Sequence, residues 1–185
     1  MSKIKENSGV LVQGHIKIHD PESGAVFVNK RNAIHYENMS IALAESVANQ
    51  GQGFISSMAF GNGGTSVDPT GIITYLTPNS TGTNASLYNQ TFTKIVDDRS
   101  VSNLDPQRNK IETRHVNGTN YTDVVVTCLL DYGEPNGQDA TDTASASDSL
   151  YVFDELGLVS YASSGTGKLL TPVSYTHLRA HETLR

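Results

Sequence analysis

Residues Phe54 to Gly64 read FISSMAFGNGG, an apolar run that stops in a cluster of small, turn-forming residues. The step predicts a central strand over Gly53 to Phe60 that delivers the chain into a loop, GNGGTSVDPTG, where only glycine takes the required backbone angles. Gly61, Gly63 and Gly64 are therefore assigned structural roles. A glycine-rich loop after a strand can also cradle phosphate, but that use needs a helix directly behind the loop and, for a nucleoside triphosphate, a lysine. Thr65, Ser66, Asp68, Pro69 and Gly71 continue the loop instead, and Ile72, Ile73, Tyr75 and Leu76 are left to form a short strand or an apolar plug beneath it.

The segment feeding this strand has a helical period. Tyr36, Met39, Ser40, Leu43 and Val47 recur at three and four spacing, Asn32 or a near neighbour can cap, and Gly51 and Gly53 stop the run. This predicts one substantial helix over Ile34 to Asn49, packed on a sheet by that stripe, with Glu37, Asn38 and Glu45 falling elsewhere. Before it, Val10 to His19 alternates apolar and polar residues, and Asp20-Pro21-Glu22-Ser23-Gly24 supplies a turn. Val10 to Asn29 therefore reads as a hairpin. His15 and His19 share its outer face but lie about 13 Å apart along a strand, too far for one metal ion to bridge.

Beyond the central loop, Thr77 to Gln90 is nearly all Thr, Asn, Ser and Gly, a composition that buries little and predicts an extended surface loop. Its Asn-x-Ser/Thr triplets follow from that composition. Phe92 to Val96 reads as a strand, and Asp97 to Lys110 as charged turns. Ile111 to Val116 and Tyr121 to Leu130 read as a second hairpin around Asn117-Gly118. The continuous apolar run Val124 to Leu130 predicts a central strand covered on both faces. Cys128 lies inside that run, so a buried hydrophobe is expected there, not a nucleophile. Gly133 to Ser149 reads as an acidic loop whose carboxylate spacing matches no calcium-binding loop. A last strand opens at Leu150 to Phe153 and runs through Asp154-Glu155-Leu156-Gly157-Leu158 to Tyr161.

The 185 residues support one domain with a real core. The 13 basic residues are scattered among 19 acidic ones, for a net charge of −6. Duplex DNA and anionic membranes are thus poor direct partners. A single cysteine forms no internal disulfide, so packing must hold the fold. No apolar stretch approaches bilayer length, and the first residues lack a hydrophobic signal region, so synthesis in a cytoplasm is the expectation. The fold class predicted is mainly β: an antiparallel β-sandwich with one packed α-helix and long polar loops, forming a single domain over residues 1–171.

From Val173 the chain reads VSYTHLRAHET, which resembles translated sequencing adapter, and Pro172 fits the same frame. Residues 172–185 are on this reading an artefactual tail. The natural product is then expected to continue differently past Thr171, with a final strand after Leu170. His177 and His181 carry no functional meaning on that reading.

Three segments, taken in order, carry a resemblance: RNAIHYENMSIALAESVANQG, ISSMAFGNGGTSVDPTG and FDELGLVSY. Together they make the chain, over roughly Ile34 to Tyr161, similar to virion structural proteins of tailed bacteriophages, in particular β-rich tail-fibre, collar and baseplate attachment domains. The resemblance implies a non-enzymatic virion component that assembles as a homo-oligomer with other virion proteins. It also implies structural roles for Glu155, Leu156, Gly157 and Leu158, with Gly157 letting the backbone turn closely and the two leucines packing. It supplies no catalytic residue, metal or cofactor. A receptor- or carbohydrate-binding module of a tail fibre, or a capsid decoration or neck protein, is the alternative. An enzyme with paired carboxylates is disfavoured because Asp154 and Glu155, adjacent on a strand, should point to opposite faces.

Overall fold

A computed structural model describes residues 9–131, 134 and 152–179. The architecture is mainly β, with antiparallel sheets and one helix. The first hairpin pairs β1 (Gly14–His19) with β2 (Val26–Asn32), joined by the Asp20 to Gly24 turn, in which Asp20 accepts from Glu22 N–H at 2.9 Å. The helix α1 (Tyr36–Val47) follows and ends where Asn49, Gly51 and Gly53 take positive φ. Then comes β3 (Ile55–Gly61), the strand anticipated from the apolar run.

The loop behind β3 folds into a short hairpin, β4 (Thr65–Val67) with β5 (Ile73–Tyr75), whose turn is held by Asp68 accepting from Thr70 and Ile72 N–H. Residues 77–89 contain no regular element, as their composition dictates. After them come β6 (Gln90–Ile95), the second hairpin of β7 (Lys110–His115) with β8 (Thr122–Thr127), and finally β9 (Val152–Ser160) and β10 (Leu169–Arg179). The acidic loop expected over Gly133 to Ser149 lies, apart from Glu134, outside the described residues.

One four-stranded antiparallel sheet, in the order β10-β9-β3-β6, organises the molecule. Its register sets Phe60 of β3 opposite Phe92 on one side and Leu156 on the other. Phe153 joins them, with ring centroids 5.1 Å from Phe60 and 6.4 Å from Phe92. The core cluster is completed by Val28 of β2 and by Val173 and Tyr175 of β10, with Ile16 and Ile18 of β1 packed against it, so the first hairpin covers one face of the sheet. Val173 and Tyr175 belong to the adapter-like string. Its residues VSYTHLR sit within β10, antiparallel to β9.

Two expectations are corrected. The helix does not pack by its apolar stripe: Tyr36, Leu43 and Val47 are exposed, whereas Asn38 and Ala42 are buried. The reason is polar tethering at its start. Asn38 Nδ2 donates to the Leu169 carbonyl at 3.0 Å, and the backbone N–H of His35 donates to Leu170 at 2.9 Å, which fixes the helix rotation against β10. The N-cap is His35, a near neighbour of Asn32, and its Nδ1 accepts from Asn38 N–H. Finally, the apolar strand β8 is not central. Among the described residues it pairs only with β7, and Val124 is 55% exposed.

Candidate functional site

The charged residues that lie deepest are Asp154, at 0% exposure, and Glu155, at 2%, side by side in β9. Removing two carboxylates from water is costly unless donors replace the solvent. Here the donors come from the glycine loop and from the end of the polar loop before β6. Glu155 accepts from the backbone N–H groups of Gly63 at 3.1 Å, Tyr88 at 2.8 Å and Asn89 at 2.8 Å. Asp154 accepts from Gly64 N–H at 2.8 Å and from the Thr65 hydroxyl.

Both side chains therefore engage the glycine loop, which corrects the expectation that they face apart. Strand pairing explains the change. Opposite Asp154, the partner strand β10 carries three residues, 175–177, between the pairs Ser174 with Glu155 and Leu178 with Phe153. An irregularity of this kind twists the strand and re-aims its side chains, so simple alternation fails there. Tyr175 is buried beside the pair, and both burial and the neighbouring carboxylates push its phenol well above the ordinary range.

The first three glycines of the loop answer to space and not to angle, whereas Gly71 takes φ 86°. None of Gly61, Gly63 and Gly64 takes a positive φ. A Cβ on Gly63 would stand 2.7 Å from Asn89 N, and one on Gly64 would stand 2.8 Å from the Asp154 carbonyl oxygen and 3.0 Å from Glu155 Cβ. At Gly61 it would meet Glu155 Oε1 at 2.5 Å. Close approach of the loop to the two acids and to Tyr88 and Asn89 is what requires glycine.

Leu156 is buried in the core cluster, and Leu158 is half-buried. Gly157 lies in the middle of β9, paired with Ala59 and Pro172, and not at a turn. A Cβ there would meet Leu169 Cδ1 at 2.5 Å, so the notch it leaves receives that side chain. Of the residues singled out from sequence, the structure thus brings Gly61, Gly63, Gly64 and Glu155 together. Sequence reasoning missed Asp154, Thr65, Tyr88 and Asn89 as partners. The only available signal was the juxtaposition of two acids in an otherwise apolar strand.

Chemically, Glu155 has its oxygens committed to backbone amides, and Asp154 shares its own with an amide and a hydroxyl. The arrangement locks two loops onto the end of β9. Cys128, the one thiol, is half-buried, and its partial removal from water pushes it up to about 12. Among the described residues no three His, Cys, Asp or Glu side chains gather to hold a metal ion, and no helix is long and apolar enough to cross a membrane. No protein-family model, no curated protein and no solved structure matches this chain.

Proposed function

We propose that this chain is a non-enzymatic structural subunit of a tailed-bacteriophage particle, of its tail, collar or baseplate, which assembles through protein-protein contacts. One observation carries the reading: the three segments that resemble such proteins, the first two nearly contiguous and the third beginning only at Phe153, form one structural unit. β3 and its glycine loop lie against β9 and are tied to it by Asp154 and Glu155. The helix segment is tied to β10, the strand on the other side of β9. In this reading the buried acids are rivets. They fix loop positions, and so the surface that the loops present to neighbours.

The test is protein identification in purified particles of the phage that encodes the chain. The chain is expected at stoichiometric level, and disruption of its gene leaves incomplete or non-adsorbing particles. Absence from purified particles overturns the proposal.

A second reading, a receptor- or carbohydrate-binding module, draws on one feature. Phe54 and Tyr161 stack at 4.9 Å with planes 8° apart, and both remain partly exposed. An outer ring face of such a pair suits a sugar ring. Binding on a glycan array that is lost in Tyr161→Ala favours this reading over the first.

A further inference from the structure

The chain holds three Asn-Gly steps, at Asn62, Asn117 and Asn136, the last outside the described residues. At such a step the glycine nitrogen can attack the side-chain amide carbon of the asparagine before it, because no Cβ on the glycine hinders the approach. In a folded protein the attack needs two things: a nitrogen free of other bonds, and room for the asparagine side chain to swing over it. The two described steps differ in both.

At Asn62 the fold withholds both. The Gly63 N–H donates to Glu155 at 3.1 Å. The Asn62 side-chain oxygen accepts from Asn89 Nδ2 at 2.6 Å, and the Asn62 N–H donates to the Asn89 carbonyl at 3.1 Å. A Cβ on Gly63 would stand 2.7 Å from both Asn89 N and Tyr88 Cβ, so the step is hemmed in as well as tied.

Asn117 and Gly118 form the tip of the β7–β8 hairpin, beyond its last pair, His115 with Thr122. Both residues are exposed. Among the described residues the Gly118 N–H donates to no acceptor, and no hydrogen bond engages the Asn117 side chain. A Cβ on Gly118 would meet nothing within 4 Å. The turn is closed by Thr119, whose N–H and hydroxyl both donate to the Val116 carbonyl, at 3.1 and 2.7 Å, bonds that flank the pair without engaging it. An exposed tip of this kind opens at little cost, and opening supplies the rotation that brings the Asn117 side chain over the Gly118 nitrogen.

We propose that Asn117 is a site of spontaneous deamidation. The Gly118 nitrogen loses its proton to hydroxide and bonds to Asn117 Cγ. The Cγ–Nδ2 bond breaks, and Nδ2 takes a proton from water and leaves as ammonia. Water then opens the cyclic imide at either carbonyl, giving aspartate or, with the backbone rerouted through Cβ, isoaspartate. The product adds a carboxylate to a chain of net charge −6 and, as isoaspartate, lengthens the turn between Val116 and Thr119. Since the ammonia is lost, the converted fraction rises with the age of the molecule. The proposal goes beyond the particle role and does not depend on it.

The experiment incubates the full chain at mildly alkaline pH and follows each Asn-Gly peptide by mass spectrometry, with chromatography to separate aspartate from isoaspartate and circular dichroism to confirm that the chain stays folded. In the native chain Asn117 is expected to convert at least about tenfold faster than Asn62, because the bond from Gly63 to a buried carboxylate must first be broken. Conversion quickens as pH rises, and isoaspartate is a product. In urea Asn62 accelerates until the two sites agree within about threefold, since the tertiary restraints are gone. Glu155→Ala, where circular dichroism shows it folded, speeds Asn62 and leaves Asn117 unchanged.

An Asn117 that stays intact in the native chain while the denatured chain converts overturns the proposal. Native Asn62 converting as fast as Asn117 overturns the structural distinction on which it rests. Aspartate as the sole product overturns the cyclic route through Gly118.

Discussion

Glu155 draws Gly63 from one loop and Tyr88 and Asn89 from another onto a single carboxylate, and the consequence can be measured. Charge-assisted bonds of this kind contribute about 1.5–3 kcal/mol each, and stranding their buried donors costs comparable amounts. Glu155→Gln places an amide NH₂ where an acceptor is needed, so urea denaturation should show a loss of about 2–4 kcal/mol, with Glu155→Ala at least as damaging. A loss below about 0.5 kcal/mol for both would mean that the two loops are held by other contacts. Gly64→Ala drives a methyl to 2.8 Å from the Asp154 carbonyl oxygen, which belongs to the backbone and yields little. About 1–3 kcal/mol of destabilisation is expected in the same measurement. At this scale the sequence was legible in part. It marked the glycines and the Glu-Leu-Gly-Leu segment as structural, but not their union, because Glu155 and Gly63 are 92 residues apart. It also misjudged Asp154, since alternation assumes regular pairing and the extra residues of β10 remove that regularity.

Elements were legible where local chemistry decides them. The Asp20 to Gly24 turn, the Asn117-Gly118 turn with Gly118 at φ 86°, and the helix stop at Gly51 and Gly53 all stand where the residues place them. Orientation was not legible. A periodic apolar stripe reports which face a helix could bury, whereas two polar tethers to β10 decide which face this one does bury. His35 is the hinge of that arrangement: Nδ1 caps the helix, while Nε2 lies 2.9 Å from the Gly82 carbonyl and donates to it. His35→Asn keeps a capping acceptor and should cost less than His35→Ala, which forfeits the cap and leaves the Gly82 carbonyl without this donor. Thermal melting should separate the two by about 1 kcal/mol. Equal melting temperatures would assign the burial of His35 to packing alone. The apolar run of β8 misled for a related reason. Continuous hydrophobicity signals cover without saying whether the covering surface belongs to the same chain.

For the whole molecule, the class follows from pattern, but the short strand β4 was read as loop, and the order β10-β9-β3-β6 joins strands distant along the chain and has no local signature. One global property can be read from Cys128. Its thiol is raised from an ordinary 9.0 to about 12, chiefly by burial, with nearby Lys94 opposing and Glu134 reinforcing the shift. A group whose acidity is weakened by folding lends stability that is complete below pH 9 and fades as pH rises toward 12. Alkylation of the native protein at pH 8 should therefore be slow and become rapid in denaturant, and Cys128→Ala should flatten part of the alkaline loss of stability between pH 9 and 12. Fast alkylation of the folded chain at pH 8 would contradict the burial of this thiol.

The helix tether has a further bearing, on the order of events during synthesis. Asn38 leaves the ribosome 131 residues before Leu169, the residue whose carbonyl receives it. At about 5–20 residues per second, the emerging amphipathic segment waits on the order of ten seconds for its docking strand. During that interval its apolar side chains, joined at the end by the unclosed edge of β9, are open to whatever is nearby, including the same segments on neighbouring nascent chains of a polysome.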